Sequence, residues 1–363
     1  MRAVEAVFWS SLGALAWTHA GYPLAARALA LVRARPPAKD DAYEPRVALI
    51  VAAHNEAAVI ERRLENLRAL EYPSDKLELV VTSDASTDST DELAERAGAR
   101  VVRNPRGGKV AAQNRAVAET AAEILAFSDA NCTWAPDALR KLVRSFADPA
   151  VAYVCGRLAL EADEERNKEG VYWRYELALR ADESRLGSVT GGNGSIYAVR
   201  RADYVEVDPR FGHDLSLPYL MVQRGRRAVY EPEARAYERA TPTSEDEYRR
   251  KVRMFEHCWA IVLEGKMLRR TGPLYLVEVL SHRHLRYASG LLHLVLLGSS
   301  VALVGRGTFY AVALGIQLGV LAAAAFGVGL PRYYVLVTWA TVVSLWNYLR
   351  RGVPAGWDPA ETR

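Results

Sequence analysis

The apolar residues of the chain are concentrated in runs near its two ends. No residue in the first run, 6–26, carries a formal charge, and its length is close to the roughly 20 residues that a membrane-spanning helix needs. A cleaved signal peptide is the alternative. Its apolar stretch is usually about 7–15 residues and ends in small residues, whereas Arg27, Arg33 and Arg35 follow here. We therefore expect an N-terminal transmembrane helix within residues 1–32.

Three further charge-free runs follow one another near the C-terminus. They are separated by single arginines and cover residues 287–305, 307–331 and 333–349. Successive runs of this kind are typical of membrane helices. We expect a membrane hairpin plus one further span over 287–349 and a tail at 350–363. The segment before them, 259–286, mixes apolar, basic and histidine residues and predicts interfacial helices beneath the soluble part.

The distribution of positive charge predicts a membrane topology. The basic residues between positions 27 and 39 place the soluble part in the cytoplasm and the N-terminus outside. Three later spans would then send Arg350 and Arg351 outside, against the same rule. We expect three true spans; the alternative is that the last run, 333–349, lies in the interface or re-enters the membrane.

Between the apolar ends, a polar linker at 33–46 leads into alternating strand and helix patterns. Ile60, Leu64 and Leu67 recur at helical spacing after the first apolar run. Alternation of strands and helices predicts βαβ units, so we expect an α/β domain over 47–258 with a mostly parallel sheet and flanking helices. Its first strands are expected at 47–54, 77–84, 99–104 and 123–131.

Composition excludes several classes of protein. The formal net charge is +4, and no long Lys/Arg tract is present, so we expect no nucleic-acid partner. The three cysteines, Cys132, Cys155 and Cys258, are far apart. Scattered cysteines of odd number argue against a disulfide framework and against a zinc site.

Polar residues follow three of the predicted strands. The first strand leads to Glu56, the second to Asp84 and the fourth to Asp129 and Asn131. Each residue alone is explained equally well by a turn or a helix cap, which is our interpretation of Asp88. Ligands of parallel α/β sheets bind beyond the carboxyl ends of the strands, so together these residues indicate a binding site.

The motifs at this edge exclude two kinds of nucleotide site and suggest a third. Neither a G-x-G-x-x-G nor a P-loop pattern follows the first strand. Asp129 and Asn131 offer the oxygen ligands that Mg²⁺ or Mn²⁺ prefers, and a substrate diphosphate would supply the remaining oxygens. Lys109 and the basic cluster 249–253 are candidates to neutralise that diphosphate. The glycine-rich stretch 191–194, taken alone, is explained equally well by a flexible turn.

At this point the soluble part resembles family 2 of the glycosyltransferases, with the GT-A fold, and specifically their membrane-integrated bacterial members. The resemblance covers roughly residues 45–270. It rests on ordered stretches: VALIVAAHNE, TSDASTDST, GGKVAAQNRAV, FSDAN, GGNGSIYAVRR, HDLSLPYLMVQRGRRAVYEPEARAYE and YRRKVRMF.

The resemblance implies a role for each matched residue. Asp84, with Glu56 nearby, would contact the base or ribose of the donor, and Lys109 would help to bind it. Asp129 and Asn131 would meet the metal and the diphosphate, Asp214 would be the general base, and Arg250 and Arg253 would close over the diphosphate. This sequence departs from the family pattern at Asn131, which replaces an acid, at His213, which precedes the base in place of an acid, and at Met254, which replaces a tryptophan.

The function implied is inverting transfer of a sugar from a nucleotide-sugar donor to a lipid-linked or glycan acceptor, in contact with membrane lipids. Such a transfer needs one base and an electrophile that stabilises the leaving phosphate. It needs no second carboxylate as nucleophile. The alternative role for Asp214 is a cap of the following helix. The alternative functions are a nucleotidyltransferase and a degenerate membrane scaffold that only binds the donor.

Overall fold

Four apolar runs of the soluble part form neighbouring parallel strands. The computed structural model describes residues 2–160, 168–238 and 244–353. Its first strands are β1 (Val47–Ala53), β2 (Leu77–Asp84), β3 (Arg100–Asn104) and β4 (Ile124–Asp129), in the order β3-β2-β1-β4. Every residue of β1 is buried, as is usual in parallel sheets whose two faces are both covered. All four predicted strands are confirmed to within two residues at either end.

The other half of the sheet is mixed in direction. It consists of β5 (Thr133–Trp134), β6 (Val151–Leu160), β7 (Tyr197–Arg200) and β8 (Arg227–Glu238), and the full order is β3-β2-β1-β4-β7-β6-β8-β5. β7 is antiparallel to both β4 and β6, β5 is antiparallel to β8, and β6 is parallel to β8. The expected α/β class is confirmed, and four of the seven strand pairings are parallel, while every antiparallel pairing involves β5 or β7. An apolar run predicts burial and carries no information about strand direction.

Helices from the segments between the strands cover both faces of the sheet. They are α3 (Ile60–Arg68), α4 (Thr90–Arg96), α5 (Lys109–Ala118), α6 (Ala138–Val143), α7 (Lys168–Leu186) and α8 (His213–Gln223), with 3₁₀ turns at Ser74–Lys76, Arg144–Ala147 and Arg201–Asp203. Alternate residues of β1 face two apolar layers, since strand side chains alternate. Leu49 packs in one layer with α3 and α6, and Ile50 in the other with α5 and α8. The predicted stripe on α3 is fully buried in the first layer.

The described chain on either side of the sheet domain is almost entirely helical. It comprises α1 (Arg2–Ala16), a π turn (Trp17–Gly21) and α2 (Tyr22–Val32) at the N-terminus, and α9 (Ser244–Glu264), α10 (Pro273–Val279), a π turn (Leu280–His284), α11 (Leu285–Tyr287), α12 (Ser289–Leu303), a 3₁₀ turn (Val304–Arg306), α13 (Thr308–Ala325) and α14 (Gly329–Arg351) at the C-terminus. α9 is continuous through position 258, where the sequence suggested the end of the α/β domain.

Two helical segments within the described residues are long and apolar enough to cross a membrane. They are Ser289–Arg306 and Thr308–Ala325, and no residue of the second is buried inside the protein. The expected N-terminal span is divided by a π turn. It is therefore not one helix that is long and apolar enough to cross a membrane. Its first part, α1, packs along α12 through Phe8 and Leu15 against Leu296 and Leu303. An N-terminal span therefore stays a prediction.

The last apolar run packs against the sheet domain instead of standing apart from it. α14 lies along α9, where the Trp259 indole donates to the Thr341 carbonyl at 2.9 Å. Near its end, Asn347 and Arg351 both donate to the Glu256 carboxylate, at 2.7 and 2.9 Å. The C-terminal end of α14 therefore lies beside α9.

Candidate active site

The end of β4 carries an ion pair. Lys109, the first residue of α5, contacts the Asp129 carboxylate, and the Ser195 hydroxyl donates to the same carboxylate at 3.4 Å. Burial lowers the pKa of Lys109, but the Asp129 charge, its hydrogen bond and the charge of Asp214 outweigh burial and raise that pKa. Asp129 and Asp214, 85 positions apart by their numbers in the chain, therefore act on one ammonium group.

Asp84 holds the loop that leads into α5. Its carboxylate, 2% exposed, accepts the backbone N–H groups of Gly107 at 2.7 Å and Gly108 at 3.0 Å and the Arg106 guanidinium at 3.0 Å. Gly108 has φ of +87°, a backbone conformation that favours glycine. The loop delivers Lys109 to the sheet edge. A contact of Asp84 with the donor base or ribose stays a prediction.

Glu56 lies at the same edge, after β1. Burial, then the charges of Asp129 and Asp88, raise the pKa of Glu56 to about 7. Asp88 accepts from the Thr90 N–H at 3.0 Å and the Ala57 N–H at 3.2 Å. It therefore orients the start of α4, although the cap position itself is Ser89. Carboxylates in excess at a sheet edge are a signature of sites that bind cations or perform acid–base chemistry.

Asn131 meets a carboxylate that the sequence did not single out. Its side-chain amide donates to Glu238, the last residue of β8, at 3.3 Å. Burial and the Asp129 charge raise the pKa of Glu238, against the lowering effects of Arg250, Lys109 and the Asn131 hydrogen bond. Glu238 therefore belongs to the same cluster as Asp129 and Lys109. Among the described residues, no group of three His, Cys, Asp or Glu side chains is spaced to hold a metal ion.

Asp214 lies in the first turn of α8. The helix cap is Gly212, which offers no side-chain cap, so the interpretation of Asp214 as the cap is not supported. The Asp214 carbonyl accepts the Gly192 N–H at 2.7 Å. None of the hydrogen bonds among the described residues engages the carboxylate of Asp214, which leaves it available to accept a proton.

His213, which stands where the family has an acid, is a buried structural residue. Its ring nitrogens lie 2.9 Å from the Tyr197 hydroxyl, 3.3 Å from the Tyr204 hydroxyl and 3.3 Å from the Asn114 side-chain oxygen. Burial, and to a lesser extent Lys109, lower the pKa of His213 to about 3. A neutral imidazole therefore fixes the start of α8.

The stretch 191–194 is a closely packed loop at the site. A Cβ on Gly192 would lie 2.0 Å from the Tyr153 hydroxyl, and one on Gly191 would lie 2.6 Å from the Arg283 guanidinium. The space next to Gly194 borders Lys109 at 3.4 Å and Asp129 at 3.9 Å. Gly191 and Gly192 therefore pack closely against neighbouring side chains, whereas Gly194 leaves open the space beside Lys109 and Asp129.

A buried polar layer lies behind this loop, between the sheet domain and the terminal helices. It consists of Tyr22, Glu176, Glu183, Thr190, His282, Arg283 and Arg286. The Glu183 carboxylate alone contacts the Tyr22 hydroxyl at 2.7 Å, the His282 ring at 2.6 Å and the Thr190 N–H at 3.1 Å. Thr190 precedes the loop 191–194, so the layer supports the site from the side of the terminal helices.

The arginines predicted to close over the diphosphate lie on α9. Arg250 pairs with Glu247 at 2.8 Å and is near enough to Glu238 to lower its pKa. Arg253 follows about one turn later and is half-buried. Met254, in place of the family's tryptophan, is 44% exposed. The structure therefore connects Arg250 with the cluster around Asp129, while a contact of Arg253 with the donor stays a prediction.

Comparison with known proteins identifies the domain. The family model described as Glycosyl transferase family 2 matches residues 48–207. Residues 48–207 belong to this family. Its sheet and flanking helices have the GT-A fold that the resemblance implied.

The curated relatives include lipid glycosyltransferases. The chain is 36% identical over 164 residues to a beta-monoglucosyldiacylglycerol synthase of Synechocystis sp., with 42% of this chain and 33% of that protein covered. It is 36% identical over 213 residues to the synthase of the same name from Nostoc sp., with coverage of 55% and 45%. The chain thus spans between a third and a half of the length of these relatives.

One solved structure matches almost the whole chain, including the terminal helices. This is the mannosyltransferase PcManGT from Pyrobaculum calidifontis in complex with GDP-Man and Mn2+, with a TM-score of 0.76 and 25% sequence identity. The match covers 96% of this chain and 98% of that chain. The terminal helices are therefore part of a shared architecture.

Proposed function

We propose that the chain is an inverting glycosyltransferase that moves a sugar from a nucleotide-sugar donor to a hydroxyl group of a lipid at the membrane. The observation that carries this proposal is the convergence of Asp129 and Asp214 on Lys109 at the carboxyl edge of the sheet. The names of its relatives support it, since they include lipid glucosyltransferases and a mannosyltransferase bound to its donor.

The residues at the end of β4 suit a divalent cation, Mg²⁺ or Mn²⁺, and a diphosphate. Asp129 and Asn131 would hold the cation through oxygen atoms, the donor type that these ions prefer. The absence of a side chain at Gly194 keeps open the space beside Asp129 and Lys109. When bound, the cation stabilises the negative charge of the departing diphosphate. Lys109 and Arg250, with Arg253, neutralise the same charge from the protein side, and Glu56 borders the donor.

Asp214 would remove the proton from the acceptor hydroxyl. Its carboxylate accepts no hydrogen bond from the described residues, and its backbone is fixed by Gly192 on one side and by His213 on the other. A general base must be close to the proton that it takes and must be held in a defined geometry. Inverting transfer needs this base alone and no carboxylate nucleophile.

The packing of the helices supports one topology. We place α1, α12 and α13 across the membrane and α14 on the side of the catalytic domain, which resolves the charge conflict seen in the sequence. α1 packs along α12, and the end of α14, with Arg351, is paired to α9. Arg350 and Arg351 would then lie on the cytoplasmic side together with the arginines that follow α1, as the positive-inside rule requires. The catalytic domain would face the cytoplasm.

Turnover of nucleotide-sugars by the purified protein in detergent tests the activity. GDP-mannose and UDP-glucose are offered with diacylglycerol, and release of GDP or UDP and formation of glycolipid are followed with Mn²⁺, with Mg²⁺ and after chelation. We expect release of a nucleoside diphosphate that depends on the acceptor and on the cation. Release of pyrophosphate from a nucleoside triphosphate and a sugar phosphate would favour a nucleotidyltransferase. Donor binding without turnover across a broader acceptor panel would favour a scaffold.

A further inference from the structure

The second position of the expected metal motif lacks a carboxylate. Asn131 stands where the family has an acid, and an amide oxygen is a neutral, weaker ligand for a hard cation than a carboxylate. If Asp129 and Asn131 were the whole ligand set, one negative charge would be missing beside the diphosphate. The structure shows where that charge could come from.

Glu238 brings a carboxylate to Asn131 from the end of β8, a strand that does not neighbour β4. It is the last residue of β8, a strand separated from β4 by β7 and β6. Its Oε1 atom accepts the Asn131 amide at 3.3 Å, and this bond orients the Asn131 side chain. The Glu238 side chain is half-buried and faces the charges of Asp129, Lys109 and Arg250.

We propose that Glu238 supplies the second carboxylate of the cation site, in place of the acid that is absent at position 131. Glu238 would hold the cation together with Asp129 and the Asn131 side-chain oxygen, and it would supply the negative charge that position 131 lacks. This inference rests on the proposed function, since the cation accompanies the donor diphosphate.

The competing role for Glu238 is purely structural. It could serve only to neutralise Arg250 on α9, which also pairs with Glu247 at 2.8 Å. The two roles differ in what they predict for position 131. A carboxylate needed by the cation can be supplied from either position, whereas a carboxylate needed by Arg250 must stay on Glu238.

Direct measurement of Mn²⁺ binding separates these roles. Free Mn²⁺ is followed by electron paramagnetic resonance during titration of the full-length protein in detergent, in the presence of GDP and, separately, of UDP. We expect Glu238→Gln to weaken Mn²⁺ binding at least about tenfold, the lower end of what loss of a residue next to a metal usually costs. The double variant Asn131→Asp/Glu238→Gln should recover most of that affinity. Glu247→Gln, which removes a partner of Arg250 without approaching Asn131, is the matched control and should change Mn²⁺ affinity less than about twofold on this account.

The outcomes are distinct. Wild-type affinity for Mn²⁺ in Glu238→Gln, or a loss that Asn131→Asp does not recover, would overturn the inference and leave the proposed function intact. Absence of nucleotide-linked Mn²⁺ binding in the wild-type protein would instead contradict the cation in the proposed function. Thermal unfolding checks that each variant folds. Should Glu238→Gln not fold, Glu238→Asp keeps the charge but shortens its reach, and unchanged Mn²⁺ binding by that variant would also count against the inference.

Discussion

The edge of the sheet around Asp129 and the buried polar layer behind it contain the same types of residue. The two regions differ in how their carboxylates are paired. At the sheet edge, Glu56, Asp129 and Glu238 crowd together, and this repulsion contributes to the raised pKa of Glu56. In the layer, the Glu183 carboxylate is surrounded by donors from Tyr22, Thr190 and His282. Carboxylates that repel one another despite their donors favour a ligand site, and fully matched ones favour a structural role.

The two regions are nevertheless joined. Thr190 is bonded to Glu183 and Arg283 in the polar layer, and two residues later the Gly192 N–H is bonded to the Asp214 carbonyl. The layer contains residues of α7, α2 and the π turn before α11. Contacts between the sheet domain and the terminal helices therefore help to determine the position of the proposed base. The predictions below test whether this layer is structural and whether its effect reaches the site.

Glu183→Gln should give the largest loss of stability. The side chain is fully buried, and an amide cannot accept from Tyr22 and His282 on one side and from Thr190 on the other as a carboxylate does. Removing one partner of a buried, paired network costs about 3–5 kcal/mol. Thermal and denaturant unfolding of the protein in detergent measure this loss of stability.

Arg27→Ala is the matched control at the same helix interface, because Arg27 is exposed and its pair with Asp182 should contribute less than about 1 kcal/mol. Equal effects of the two variants would contradict the comparison.

Gly192→Ala should damage both stability and turnover. Its Cβ would lie 2.0 Å from the Tyr153 hydroxyl and 3.1 Å from the Cys155 Cβ, and overpacking of this kind costs about 1–3 kcal/mol. Because Gly192 also fixes the Asp214 backbone, kcat should fall while donor affinity is kept. Gly187→Ala, with nothing within 4 Å of the added Cβ, is the control for unfolding and kinetics. A Gly192→Ala protein with normal kcat would show that the loop does not position Asp214.

His213→Gln should change how stability depends on pH. The pKa of His213 is about 3 in the folded protein and near 6.5 when unfolded. The unfolded state therefore binds the proton first, and stability that is present above pH 6.5 is lost as the pH falls toward 3, by roughly 1.4 kcal/mol per pH unit. Glutamine keeps hydrogen bonds but does not titrate, so the slope of unfolding free energy against pH should be smaller by that amount. An unchanged slope between pH 6.5 and 4 would contradict a buried, neutral His213.

Local patterns in the sequence were sufficient to predict the parallel half of the sheet. β1 and the buried stripe of α3 consist of residues that are close together in the chain. Their spacing alone indicates the type of element and the face that it buries. The direction of β7 and the packing of α14 on α9 depend on contacts between distant segments, for which the chain carries no local signal. The run 333–349 was expected to span the membrane, yet polar residues near its end, such as Asn347, pair with α9.

The site was predictable where a strand end and a family motif coincide, as at Asp129, whereas Asp214, in the first turn of α8, was singled out by the family motif alone. Glu238 was not singled out, because it lies among other charged residues and its partner Asn131 is 107 positions away. The polar layer was missed for a related reason. Glu176 and Glu183 resemble surface residues of a charged helix, and only the packing of α2 and the π turn at Leu280–His284 removes them from water. Two observations could have found Glu238: the missing acid at position 131 and the end of a strand nearby.

The most direct test of the account is the kinetics of Asp214→Asn. Asparagine keeps the shape of the side chain but cannot take the acceptor proton, and loss of a general base usually lowers the rate about 10²–10⁴-fold. We expect that loss in kcat with saturating donor, while donor affinity measured by calorimetry stays within about twofold. Asp129→Asn, by contrast, should weaken cation-dependent donor binding as well. Near wild-type transfer by Asp214→Asn would contradict the central claim that Asp214 is the base.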